Sequence, residues 1–146
     1  MTAAPVVAGV DGSEEFRLAL RWAFDYAQMS GAPMGAVIAW EIPPSYGWGP
    51  SYDDVDFAKM AQETLEETIR GVLGDNVPVT SRVERGHPAP VLIVASERTQ
   101  LLVVGSRGHG AFAGMLLGSV SQHCVQHAHC PVVVTRRPEY GSRPGR

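Results

Sequence analysis

The sequence predicts an α/β domain, built as a parallel sheet with helices on both faces. Short valine-rich runs alternate with segments of helical periodicity along nearly the whole chain, which is the pattern of repeated strand–helix units. Two glycine turns, Asp11-Gly12 and Gly105-Ser106, close the first and fourth of those runs. In such sheets ligands sit beyond the carboxyl ends of the strands, where the strand order reverses, so the first and fourth strands form the expected central pair. That places two glycine turns side by side although they lie far apart in the chain.

The length of 146 residues fits one domain with a real core. Residues 1–137 are assigned to it. Residues 138–146 form a basic, Pro/Gly-rich tail expected to fray. A net charge of −3 gives no support to nucleic-acid binding, which calls for a basic stripe. No apolar run reaches membrane-spanning length, and the N-terminus lacks a basic leader, so neither a transmembrane helix nor a signal peptide is expected. Two cysteines, Cys124 and Cys130, make no disulfide framework. A cytoplasmic protein with reduced thiols is the expectation.

The elements follow in order. Residues 5–10 are a buried strand. Ser13 is placed to cap the next helix, with Glu14 and Glu15 in its first turn. Phe16, Leu20, Ala23 and Ala27 recur at helical spacing, flanked by Ala19 and Phe24. Gly31 suits a C-cap and Pro33 blocks continuation. Residues 34–40 are the second strand. Residues 41–52 form a loop with Tyr46, Trp48 and Tyr52, whose rings either cover a pocket or pack on the flank. Asp53 and Asp54 are expected to open a helix running to residue 73. Phe57, Ala61, Leu65, Thr68 and Val72 share one face, and Glu66 and Arg70 form an i,i+4 pair. Residues 77–85 alternate and predict a third strand near a sheet edge. A short helix follows Gly86-His87-Pro88 with Val91, Val94 and Ala95 inward. Residues 101–104 are the fourth strand, 119–129 the last helix, and 131–135 the fifth strand.

Residues 101–121 carry the chemistry. An apolar strand leads into SRGHGAFAGMLLG and then into SVS. Glycine has no Cβ to hold a bound group off the backbone amides. The start of the following helix adds partial positive charge, and Ser119 and Ser121 add hydroxyls. The combination suits a phosphate chain. A P-loop is excluded, because no lysine lies in this stretch. A dinucleotide fingerprint is excluded too: Ala113 stands where Gly108-His109-Gly110 would need a third glycine.

Taken together, these residues are similar to the universal stress protein family over about residues 5–136. Gly105, Gly108, Gly118 and Ser119 meet the G-x2-G-x9-G-[S/T] pattern of its ATP-binding branch in full. The opening VVAGVDGSEEFRLALRWA resembles the family's first strand and helix, and LLGSVSQHCVQHAHCPVVVT its last helix and strand. The resemblance implies a Rossmann-like, adenine nucleotide alpha hydrolase-like domain with a five-stranded parallel sheet in the order 3-2-1-4-5. It implies ATP at the carboxyl edge and a homodimer formed through the last strand, at Val132, Val133 and Val134. Carried over by position, Gly105, Ser106, Arg107, Gly108, His109, Gly110 and Ala111, with Gly118, Ser119, Val120 and Ser121, would hold ribose and phosphates. Gly9 would let the nucleotide lie against the first strand, beside Val10 and Gly12. Asp11 would hydrogen-bond it or hold Mg2+ through the phosphates. Ala39 would line the adenine slot. Arg107 and His109 would either offer charge to the phosphates or face solvent.

Other chemistry finds less support. Asp53, Asp54 and Asp56 read as helix-start residues rather than metal ligands. His123 and His127 stand at a zinc-compatible i,i+4 spacing. Cys124 points away from them, and Cys130 lies beyond the helix. There is no G-x-S-x-G elbow. Phosphoryl transfer needs a base, metal ligands and a cationic clamp, and Asp11 is the single suitable carboxylate. The expectation is therefore an ATP-binding stress-response module with at most weak hydrolysis. Two rivals stand beside it: a slow Mg2+-dependent ATPase or a protein that phosphorylates itself at Ser119 or Ser121, and a dimeric scaffold without ATP. The residues do not separate ATP from AMP or a cyclic nucleotide, and they name no protein partner.

Overall fold

Five strands, β1 (Val6–Val10), β2 (Met34–Trp40), β3 (Thr80–Arg85), β4 (Leu101–Gly105) and β5 (Val132–Thr135), lie parallel in the order β3-β2-β1-β4-β5. Between them run α1 (Glu14–Ser30), α2 (Phe57–Leu73), α3 (Pro88–Ala95) with a 3-10 turn at Ser96–Arg98, and α4 (Ser119–His127). The computed structural model describes residues 3–43, 56–107 and 117–137. The tail at 138–146, the rings of Tyr46, Trp48 and Tyr52, and Asp53 and Asp54 lie outside the described residues.

Strand side chains alternate between faces, and each set packs under its own helices. Val6, Ala8, Val10, Met34, Ala36, Ile38 and Val103 meet Ala19, Leu20, Ala23 and Ala27 of α1 and Ala61 and Leu65 of α2. Val7, Val37, Leu102 and Val104 meet Leu92 of α3 and Cys124 of α4. The central strands β1 and β4 are buried on both faces, which explains their unbroken apolar runs. Each large side chain closed off this way contributes about 1.5–3 kcal/mol. The register sets Val6 opposite both Met34 and Leu101, so the carboxyl ends of β1 and β4 finish side by side.

Several local expectations are corrected. The second helix begins at Phe57 rather than at Asp53, because the Asp56 carboxylate accepts the Lys59 N–H at 2.9 Å and caps it. Arg70 pairs with Asp75 at 3.5 Å instead of with Glu66. The third strand starts at Thr80, after a turn in which Asn76 takes a positive φ. It is an edge strand, as its alternation implied. Val94 points outward at 64% exposure, and Leu92 takes the core position instead. The last helix ends at His127 rather than at residue 129. There the chain turns extended, and the His129 N–H donates to Ser96 Oγ. Ser13 stands at the N-cap of α1, but its hydroxyl donates to Asp11 and accepts no N–H of the helix.

Gly105 fixes how α1 seats on the sheet. A Cβ there would lie 2.6 Å from the Glu15 carbonyl carbon and 2.7 Å from the Phe16 nitrogen, both backbone atoms that have no rotamer to retreat into. Gly105→Ala is expected to lower stability by about 1–3 kcal/mol, read as a lower urea midpoint. An unchanged midpoint would contradict the packing described.

Candidate nucleotide site

The carboxyl ends of β1 and β4 and the start of α4 converge on one edge of the sheet. At β1, Gly12 turns the chain with φ of 83°. The Asp11 carboxylate accepts the Ser13 N–H at 2.8 Å and the Ser13 hydroxyl. At β4, the buried Ser106 joins three segments. Its N–H donates to Thr135 O at 2.8 Å, and its carbonyl accepts the Gly118 N–H at 2.6 Å. The same carbonyl accepts the Ser121 hydroxyl at 2.8 Å. Both ends of the glycine-rich segment are therefore pinned to one point on the sheet edge. Gly108, His109, Gly110 and Ala111, expected to contribute to the site, lie outside the described residues.

The start of α4 is electrostatically favourable to a negative group. Gly118 at its N-cap provides no side-chain cap, and its first turn holds no acidic residue. The first N–H groups of a helix have no partner within it and carry its positive pole, so a negative group there is stabilised. Ser119 is exposed and Val120 half-buried. Ser121 is buried, and its hydroxyl is spent on the carbonyls of Ser106 and Gly118. It braces the site rather than facing outward.

The base side of the edge is tighter. A cavity of about 30 Å3 is lined by Val10, Asp11, Phe16, Val37, Ala39, Pro88, Leu92 and Val120. It brings Asp11, Ala39 and Val120 together as expected, yet it is far below the roughly 300 Å3 at which ligand pockets begin. The space above Gly9, expected to let a nucleotide approach, is filled by the chain's own side chains. A Cβ on Gly9 would lie 2.9 Å from Leu92 Cδ1 and 3.3 Å from Phe16 Cε2. A larger hollow of about 300 Å3 lies on the flank between β3 and α3, lined by Arg82, Glu84, Arg85, Gly86, Pro90, Val91, Val94 and Ala95. It shares no residue with the convergence of β1, β4 and α4.

Two charged side chains complete the edge. Arg107 Nη2 lies 3.7 Å from Glu15 Oε1. Glu15 is buried, which the helix-start reading of Glu14-Glu15 did not distinguish. The hint in the sequence was its place one residue before the core residue Phe16. On the outer face of α4, the His123 and His127 rings stack with centroids 6.4 Å apart, and His123 Nδ1 lies 2.7 Å from Ser119 O. Cys124 faces the opposite way, into the core.

The chain matches the model of the universal stress protein family over residues 3–136. It is 42% identical over 135 residues to the universal stress protein Rv2623 of Mycobacterium tuberculosis, covering 91% of this chain and 45% of that protein. The chain thus spans a little under half the length of that relative. The universal stress protein UspA from Lactobacillus plantarum superposes with a TM-score of 0.75 at 20% identity, covering 93% of this chain and 99% of that one. A universal stress protein solved in complex with cAMP superposes with a TM-score of 0.68 at 24% identity, covering 92% and 98%.

Burial pushes the Cys124 thiol from about 9 up to about 11, and the neighbouring Cys130 adds to the rise. The folded state therefore keeps a proton that the unfolded chain gives up first. Stability from this group is whole below about pH 9 and falls as the pH rises toward about 11. Urea midpoints across that window should fall less steeply in Cys124→Ala than in the natural chain. Equal slopes would remove Cys124 as the cause.

Proposed function

The chain belongs to the universal stress protein family, and from that membership we propose that it is a nucleotide-responsive regulatory module that binds ATP with little or no turnover. The observation that carries this reading is the stapled, uncapped start of α4 beside the carboxyl ends of β1 and β4. Main-chain N–H groups of Ser119 and Val120 would take the phosphates, together with the glycines that follow β4. A relative of the same fold was solved with a cyclic adenine nucleotide, which supports the ligand class.

At the phosphate end, the start of α4, without a side-chain cap or an acidic first turn, supports the reading. At the base end, Leu92 must rotate away from Gly9 and Ala39 for an adenine to enter. Its methyl groups are the atoms nearest to a Cβ placed at Gly9 and form the far end of a flexible side chain, which a change of rotamer moves. Asp11 would accept a hydrogen bond from the ligand or hold Mg2+ through the phosphates; Mg2+ ordinarily takes one or two carboxylates plus phosphate oxygens. No lysine stands in residues 101–121 to clamp a γ-phosphate, which argues for binding over transfer. The buried hydroxyl of Ser121 is poorly placed to accept a phosphoryl group, and the exposed Ser119 is better placed.

The same reading takes the module to be a cytoplasmic homodimer. Its two thiols are free, as a reducing compartment favours. No described helix is long and apolar enough to cross a membrane. β5 is an edge strand whose Val132, Val133 and Val134 are only half-buried, a surface a second β5 would cover.

Calorimetry with ATP tests the site. Gly118→Ala combined with Ser119→Ala should weaken binding about tenfold or more, the loss of about 1.4 kcal/mol. Equal affinities would remove the start of α4 from the site. Mg2+-dependent ATP turnover that disappears in Asp11→Ala would instead establish the enzymatic alternative.

A further inference from the structure

Among the acidic residues of α1, Glu14 and Asp25 are exposed and only Glu15 is buried. Its burial follows from the backbone. The missing Cβ of Gly105 lets the first turn of α1 settle on β4, and Thr135 Oγ1 donates to Glu15 O at 3.2 Å. The carboxylate is carried down with that turn until its side chain is 11% exposed. Its cation is Arg107, at 34% exposure, held at its base by Ser106. Both residues thus stand on fixed backbone at the neck of the glycine-rich segment, and the long arginine side chain is the part able to swing.

The pair is loose. At 3.7 Å, it is well beyond the roughly 2.7–2.9 Å of a charge-assisted hydrogen bond. Arg107 is therefore held near Glu15 without being locked to it. Phosphates at the start of α4 would bring stronger, bidentate acceptors within the same region.

We propose that Glu15 is a specificity-determining residue of the nucleotide site: it docks Arg107 when no ligand is bound and yields it to the phosphates of the ligand. The proposal rests on the nucleotide reading above. Losing the arginine leaves a buried carboxylate without its counter-charge, which is costly. A ligand with several phosphates offsets that cost, and one with a single phosphate or none does not. The cost falls on whichever ligand draws Arg107 away, so Glu15 lowers the affinity for a nucleoside triphosphate more than for a monophosphate and narrows the site's discrimination between them.

Calorimetry with ATP, AMP and adenosine on the natural chain, Glu15→Gln, Arg107→Gln and the double variant tests this. Glu15→Gln should tighten ATP about fivefold, the scale of a modest ion pair, tighten AMP less, and leave adenosine unchanged. Unchanged adenosine also shows that the variant keeps its fold. The gain for ATP should shrink when Arg107 is already Gln. If Glu15→Gln leaves ATP unchanged or weaker, or helps more without Arg107 than with it, Glu15 is merely screened and the proposal falls while the nucleotide reading stands. A natural chain that binds no ATP overturns both.

Discussion

The contact on which the rest depends is the seating of the first turn of α1 against Gly105. Three backbone features meet there: the end of β4, the start of α1 and the end of β5 through Thr135. Phe16 is the wedge. Its ring lies close to Gly105 and, across the end of the sheet, close to Gly9 on β1. Because neither glycine carries a side chain, one aromatic residue closes the gap between the two central strands. A Cβ at Gly105 would meet α1 backbone and push the helix off the sheet edge, whereas one at Gly9 would meet the Leu92 methyls first.

That arrangement gives glycine two roles that sequence reasoning merges into one. Bare backbone beside a phosphate-type loop suggests space left for a ligand. At Gly105 and Gly9 the space is taken by the protein's own atoms, and the donors left for an anion are at the start of α4. The glycines thus bear on the ligand at one remove. They let α1 come close, and α1 brings Glu15 and Phe16 to the site.

Much of the architecture was legible because its signals are local. Valine runs mark buried parallel strands, the αL cap at Gly31 ends α1, and alternation in residues 80–85 marks an edge. What was not legible depends on partners distant in the chain or on featureless periodicity. The run PVLIVA is apolar at every register, so nothing in it chooses Leu92 over Val94; the choice is made by Gly9 on another element. Asp56 caps α2 because its carboxylate reaches the Lys59 N–H, which three aspartates close together in the sequence do not reveal. The hydroxyl of Ser121 looks like a ligand in sequence. In three dimensions the carbonyl of Ser106 claims it first.

The electrostatics of the edge follow from the same geometry. A helix start that lacks a side-chain cap and an acidic first turn favours a negative group. A carboxylate buried next to it is the opposite. Both exist here because they belong to different helices, α4 and α1, and the residue between them is an arginine rather than a lysine. The guanidinium keeps its charge when partly buried and bonds along two directions in one plane, so it can leave a carboxylate for a phosphate without ever standing unsolvated. A lysine there would have to surrender a compact, strongly hydrated shell at each exchange. The absence of lysine from residues 101–121, first read as a departure from the usual phosphate loops, is thus consistent with a site in which the cation is shared rather than fixed.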